Sequence, residues 1–223
     1  VPTRQFNLQG MTPLHLWSHR PGCFMEFFVV LIFFSLGLRA LNVQDQSARI
    51  RFLSEHLSRF RVEKQMADVQ QSTLRALAET DPERQAPIWA MLEAMQADLC
   101  EQLHAFVLAF AKVDAALART SRWPLPVPYA TQWAPTASFD MRKVLGVHAK
   151  GLQNACDLQA PAKEKAFVFM AEMLLLQHSC HWFCRSKITA SARLMRQHKT
   201  SYAQVLASVG ARTRQSYGAV VGV

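Results

Sequence analysis

Residues 27–38, FFVVLIFFSLGL, carry no charged side chain and form the strongest local signal in the chain. With its flanks the apolar segment covers 23–41, roughly the 20 residues that a helix needs to cross a bilayer. Glu26 and Arg39 sit near its edges. The uncharged centre also has the length of a signal-peptide core, but Leu38 and Arg39 stand where a cleavage site requires small residues. The expectation is an uncleaved signal anchor, a single-pass transmembrane helix. A cleaved signal peptide with an exported body, and a buried core helix, are the competing readings. Arg4 and Arg20 precede the segment, whereas Arg39, Arg49, Arg51, Arg59 and Arg61 follow it, so the positive-inside rule places the body in the cytoplasm. Residues 1–22, polar and carrying Pro2, Pro13 and Pro21, read as an unstructured prelude, with Met11 and Met25 as candidate starts.

Composition narrows the rest. In 223 residues, 50% hydrophobic and 18% charged, there is too much apolar content for a disordered chain. Eight glycines exclude a collagen-like repeat, and five cysteines are too few for a disulfide scaffold. The net charge of +9 is unevenly placed. After Glu172 there is neither Asp nor Glu, while Arg185, Lys187, Arg193, Arg196, Lys199, Arg212 and Arg214 follow. Such asymmetry points to an anionic partner, against the plainer reading of a solvated helix face.

The spacing of apolar residues predicts an all-α fold, the anchor continuing into a bundle of four or more long helices over 42–209. No Gly or Pro lies between Gly37 and Pro82, so the anchor is expected to run on unbroken. Ile50, Leu53, Leu57 and Phe60 form a coiled-coil-like seam over 50–60, a candidate surface for homo-oligomer contact. Thr80, Asp81 and Pro82, followed by Pro87, mark a turn and restart. A helix is predicted over 87–119 on the spacing of Ile88, Met91, Met95, Leu99, Leu103, Phe106, Phe110, Val113 and Leu117. The Pro-rich stretch 120–136 is expected to lie extended, with Trp123, Tyr129 and Trp133 docked on the bundle. A helix over 138–157 follows, with Gly146 and Gly151 permitting close helix contact. A further breaker-free run covers 162–209, jointed at a capping box, Ser201 to Gln204. Residues 210–223 read as a flexible basic tail.

The densest group of reactive side chains is His178, Cys180, His181 and Cys184, a donor set that suits zinc. At about 100° per residue, His178 and His181 share one helix face and the two cysteines another. Cys100, Cys156, His104 or His148 would have to complete a site. Buried thiols and packing histidines are the competing reading. A disulfide, if one formed, would join different helices, since Cys180 and Cys184 stand only one turn apart on a single helix. Glu101 and His104 match one Glu-x-x-His unit of di-iron bundles, but they fall on the polar side and have no second copy. Glu172 interrupts a stretch that is apolar around the whole helix, so it needs a cationic partner or a raised pKa. No nucleophile elbow, phosphate loop or dinucleotide fingerprint is present in the sequence, which leans the reading away from an enzyme.

The function expected on these grounds is a membrane-anchored helical interaction or scaffold protein. Its membrane contact is 23–41, and Arg185, Lys187, Arg193, Arg196 and Lys199 engage another protein or an anionic lipid. A metal-binding or redox module built on His178, Cys180, His181 and Cys184 is one alternative. A nucleic-acid-binding protein is the other, and it competes poorly without a stacking platform beside the basic residues.

Overall fold

A computed structural model describes the backbone of residues 21–222 and the side chains of residues 25–222. Apart from its last two residues, the expected prelude lies outside them. The elements in chain order are α1 (Pro21–Leu57), α2 (Val62–Ala78), α3 (Pro82–Phe110), β1 (Arg119–Ser121), α4 (Ala130–Trp133), a 3-10 turn (Pro135–Ala137) and β2 (Ser138–Asp140). They continue with α5 (Met141–Cys156), α6 (Ala162–Cys184), α7 (Lys187–His198), α8 (Tyr202–Ser208) and α9 (Ala211–Val221). The described residues are all-α apart from one short two-stranded ladder. Residues 41–223 form one compact unit, and residues up to Ala40 form another.

In the first unit α1 is long and apolar enough to cross a membrane. The large side chains of this part of α1 are exposed, Phe33 by 70% and Phe34 by 67%, so residues 25–40 are not a buried core segment.

In the second unit, aromatic contacts fix the last turns of α1 to the core. The Phe52 ring lies 5.9 Å from Phe110 of α3 and 6.2 Å from Phe183 of α6. Leu53 is buried, and Leu57 and Phe60 pack against the core. Three of the four seam residues, Leu53, Leu57 and Phe60, therefore pack within the chain, while Ile50 is 37% exposed. The unbroken helix expected to Pro82 also stops, at Leu57, without Gly or Pro. Ser58 Oγ donates to the Glu55 carbonyl at 3.0 Å, and the Phe60 N–H donates to the Leu57 carbonyl at 2.9 Å, a local alternative to helix. The reversal sets Phe60 5.7 Å from Phe106 and restarts the register, so Val62, Met66, Val69, Thr73 and Ala76 become the buried stripe of α2. Lys64 and Gln71, which stand where the 50–60 spacing would continue, are exposed on the other side of α2.

Asp81 caps α3, accepting from the Glu83 N–H at 3.0 Å, so the restart comes one turn before Pro87. Leu92, Leu99, Leu103, Phe106 and Phe110 are buried as a stripe. The helix ends at Phe110 rather than at residue 119. Beyond it Asp114 accepts from the Ala116 N–H at 2.6 Å, an Asx turn that competes with another helical turn and leaves Leu117 59% exposed. The chain then enters β1, which pairs antiparallel with β2, Thr120 opposite Phe139.

Between the strands, the Pro-rich stretch is fastened by Arg49 and Asp45 of α1. The Arg49 guanidinium donates to the Arg119 carbonyl and to Thr131 Oγ1, both at 2.9 Å, and Asp45 accepts from the Tyr129 N–H at 3.2 Å. Trp123 and Trp133 pack edge to face on each other at 4.8 Å, and Trp133 is 58% exposed rather than docked.

The hub is α6, buried around most of its circumference from Ala166 to Cys184, as its uniformly apolar sequence requires. Ser186 ends the run that sequence alone left continuous, its Oγ accepting from the Thr189 N–H at the start of α7. The capping box at Ser201 and Gln204 is present and opens α8. The expected flexible tail is instead α9, with Thr213, Tyr217 and Val221 buried at four-residue spacing.

Candidate functional site

Two sets of side chains converge on α6, one sealed in the core and one open. The sealed set begins at Glu172, 1% exposed. No cation meets it. Its Oε1 accepts from the Gly210 N–H at 3.0 Å, at the N-terminus of α9, so the carboxyl caps that helix from 38 residues away. Burial pushes its pKa up, while the Thr213 hydroxyl and the Gly210 N–H act in the opposite sense. Where the sequence called for a cationic partner, a helix terminus meets the carboxyl instead. The carboxyl fits because α5 has no side chain at Gly151. A Cβ there would meet the Glu172 carboxyl and come within 2.6 Å of Thr213 Oγ1.

Two turns further along α6, Ser179 Oγ donates to the Leu175 carbonyl at 3.0 Å and lies 2.8 Å from His148 Nε2 of α5. With the serine proton so placed, His148 donates through Nε2, and its Nδ1 has no partner. Tyr217 Oη is 3.4 Å from the same hydroxyl. The arrangement joins α5, α6 and α9. A serine beside a histidine invites comparison with a nucleophile and its base, but both are at most 1% exposed, so no substrate reaches them. Their role is to satisfy buried polar atoms.

The proposed metal cluster is dispersed by its own helix. His178 is stacked on Tyr202 at 4.4 Å, with Nε2 3.0 Å from Ser191 Oγ. Burial, then the nearby Lys187 charge, holds its pKa down at about 3. Cys180 and Cys184 are free thiols whose pKa values burial raises, Cys184 to about 11. His148 is held by Ser179, and Glu101 and His104 face solvent. Among the described residues no group of three or more His, Cys, Asp or Glu side chains is arranged to hold a metal. The residues present do not fit zinc, because the donors point to different neighbours.

The open set is different. His181 and Arg185 are one turn apart at the end of α6, and Thr189, Arg193 and Arg196 follow on one face of α7. Together with Ala192 they line a hollow of about 320 Å³. Burial, followed by the charges of Arg193 and Arg185, pushes the His181 pKa down to about 4, so its ring is neutral at pH 7. Arg193 donates to Gln197 Oε1 at 3.2 Å, and none of the three arginines forms an ion pair among the described residues. Glu63 of α2 lines an adjoining groove together with His181 and Arg193 but forms no ion pair with either.

Of the five basic residues singled out from the sequence, Arg185, Arg193 and Arg196 therefore meet. Lys187 does not join them. Its ammonium lies over the Trp182 and Tyr202 rings at 5.1 and 5.0 Å, holding α7 to α6 and α8. Lys199 ends α7 in a left-handed conformation, φ 53°, and lies outside the hollow. His181 and Thr189 were missed as members of the basic site. Their spacing of four residues to Arg185 and Arg193 is the sequence signal that could have found them.

No protein-family model, curated protein or solved structure matches the chain. The reading of the site rests on its own residues.

Proposed function

We propose that the chain is a membrane-anchored helical interaction protein whose body, on the cytoplasmic side, engages the phosphates of anionic lipid headgroups through the hollow between α6 and α7. The convergence of Arg185, Arg193 and Arg196 on one hollow, with no carboxylate after Glu172, is the observation that carries it. Guanidinium groups donate in forks that match phosphate oxygens, and Thr189 adds a hydroxyl donor within the same lining. Lipid is favoured over a protein or nucleic-acid partner because a tethered body meets headgroups at high effective concentration. The exposed aromatic and aliphatic surface of α1 before Ala40, and the Arg-rich residues that follow it, support the anchor and its orientation.

The two halves of this reading separate by deletion. Removal of residues 1–40 leaves a unit with its own core. The full chain should stay in the membrane pellet through high-salt and carbonate washes. The truncated body should be recovered soluble at high salt, while at low salt it should bind membranes rich in anionic lipid. Truncated protein that resists carbonate extraction would contradict a sole N-terminal anchor.

A further inference from the structure

Apart from the basic hollow, a close pair of thiols among the described residues joins α3 to α5. Cys100 of α3 and Cys156, the last residue of α5, have their sulfurs 3.3 Å apart, and both are free thiols. They are distant in sequence and come from different helices, so the approach is made by packing rather than by local chain geometry. Cys100 is buried at 7% exposure, and Cys156 is only partly covered at the helix end.

We infer that Cys100 and Cys156 form a peroxide-sensitive thiol pair, in which Cys156 is oxidised first and Cys100 closes an intrachain disulfide. This inference is independent of the anionic site.

The environment assigns the two roles. Either sulfur can donate across the contact, but Cys156 sits at the helix end with part of its surface open, so it is the thiol that peroxide reaches, and a Cys156 thiolate accepts from Cys100. The same bond, with burial, holds Cys100 protonated. Lys165, ion-paired to Glu93 at 3.2 Å, adds positive charge near Cys156, while burial and the carboxylates of Asp157 and Glu93 act against it. Cys180 and Cys184 have no such arrangement, and burial keeps both as thiols.

The steps balance. The Cys156 thiolate attacks one peroxide oxygen, forming an S–O bond as the O–O bond breaks, and hydroxide leaves from hydrogen peroxide or alkoxide from an organic peroxide. Cys100 Sγ then attacks Cys156 Sγ, the S–O bond breaks, and the departing hydroxyl leaves as water with the Cys100 proton. Two thiols lose two electrons in all, and the peroxide is reduced by the same number. The sulfurs must close from 3.3 Å to the roughly 2.05 Å of a disulfide. With the body on the cytoplasmic side, as proposed above, thiol–disulfide exchange reverses the bond, so the pair would report oxidant there without being permanently cross-linked.

The test uses the full chain, reduced and freed of reductant in detergent, treated with a small excess of hydrogen peroxide, then denatured, alkylated and mapped by peptide mass. The expected result is a Cys100–Cys156 linked peptide pair lacking two hydrogens, formed while the Cys180 and Cys184 peptides remain fully alkylated. In Cys100→Ser, dimedone should trap a sulfenic acid at Cys156, and in Cys156→Ser the Cys100 peptide should remain a thiol. Oxidation of Cys180 or Cys184 ahead of the pair would overturn the inference, as would persistence of both thiols or oxidation of Cys100 in Cys156→Ser. The wild-type map decides the matter even if a variant fails to fold.

Discussion

Acidification from neutral pH to about pH 5 should cost the helical body about 4 kcal/mol of stability, or a fall in Tm on the order of 10 °C. The cause is imidazoles that burial keeps neutral: His148 and His178 supply this loss, and the part-buried His181, its pKa held at about 4, adds to it in the same direction. His148 is fully buried and His178 nearly so, and burial pushes both pKa values down to about 3, with the neighbouring His178 and Lys187 charges respectively acting in the same direction. In the unfolded chain both titrate near 6.5. Each depressed value means that the folded state refuses a proton that the unfolded state accepts. Stability is therefore intact above about 6.5, falls by about 1.4 kcal/mol per histidine per pH unit below that, and levels off near pH 3.

Geometry gives the same sign, since the free Nδ1 of each ring has no acceptor for an added proton. His148 faces Ser179 and Tyr217, and His178 faces Ser191, Tyr202 and Trp182, so no carboxylate stands by to stabilise either charge. Glu172 opposes the trend. Its raised pKa gives stability that is present in acid and lost as pH rises through the folded value, so Glu172→Gln should steepen the acid loss. Urea midpoints measured across pH check this. His148→Gln should make the slope shallower by about 1.4 kcal/mol per pH unit, and a midpoint that is flat from neutral pH to pH 5 would show that the rings are not held neutral.

Two glycines on α5 should respond with opposite sign. Gly151→Ala should destabilise the body by about 2–3 kcal/mol, because the new methyl meets the Glu172 carboxyl and Thr213 Oγ1 in a sealed site. The Glu172 carboxyl is the end of a side chain, but it is fixed by the Gly210 N–H and has almost no exposed surface into which to move. Overlap there would dislodge the cap of α9 and, with it, Tyr217. Gly146→Ala should instead stabilise by about 0.5–1 kcal/mol. A Cβ at Gly146 finds no heavy atom within 4 Å, so only the backbone-entropy gain of replacing a helical glycine remains. Thermal melts of the two variants, side by side, measure the difference. Equal effects would mean that the Glu172 cradle does not exist as described.

Much of the fold was legible because its signals are local. The all-round apolar sequence of α6, the Ser201 capping box, the Asp81 and Pro82 start and the apolar helix before Ala40 each lie within a few residues of their cause. What could not be read depends on contacts distant in sequence. Helix α9 is capped by a carboxyl on α6, and its stripe of Thr213, Tyr217 and Val221 resembles a polar tail until that partner is known. The reversal after Leu57 has no Gly or Pro to mark it, and its reward is the packing of Phe60 on Phe106. At Asp114 an Asx turn overrides an apolar spacing that continues past it.

The candidate sites divide on the same principle. The four His and Cys residues are close in sequence, yet a single helix points them at different neighbours. Arg185 and Arg193 are eight residues apart and meet because Ser186 turns the chain between them. The proximity of Cys100 and Cys156 has no sequence signal beyond the general point that a bridge would join separate helices.

The most direct measurement of the anionic-headgroup reading is the partition of residues 41–223 onto vesicles of neutral lipid and of neutral lipid mixed with phosphatidylserine, with and without Arg185→Gln, Arg193→Gln and Arg196→Gln combined. Each basic side chain near an anionic surface contributes about 1 kcal/mol, so the triple variant should bind the mixed vesicles roughly 100-fold more weakly. The wild-type body should favour the anionic vesicles and be released by salt. Equal partition onto both vesicle types, or a triple variant that binds as tightly as the wild type, would contradict it.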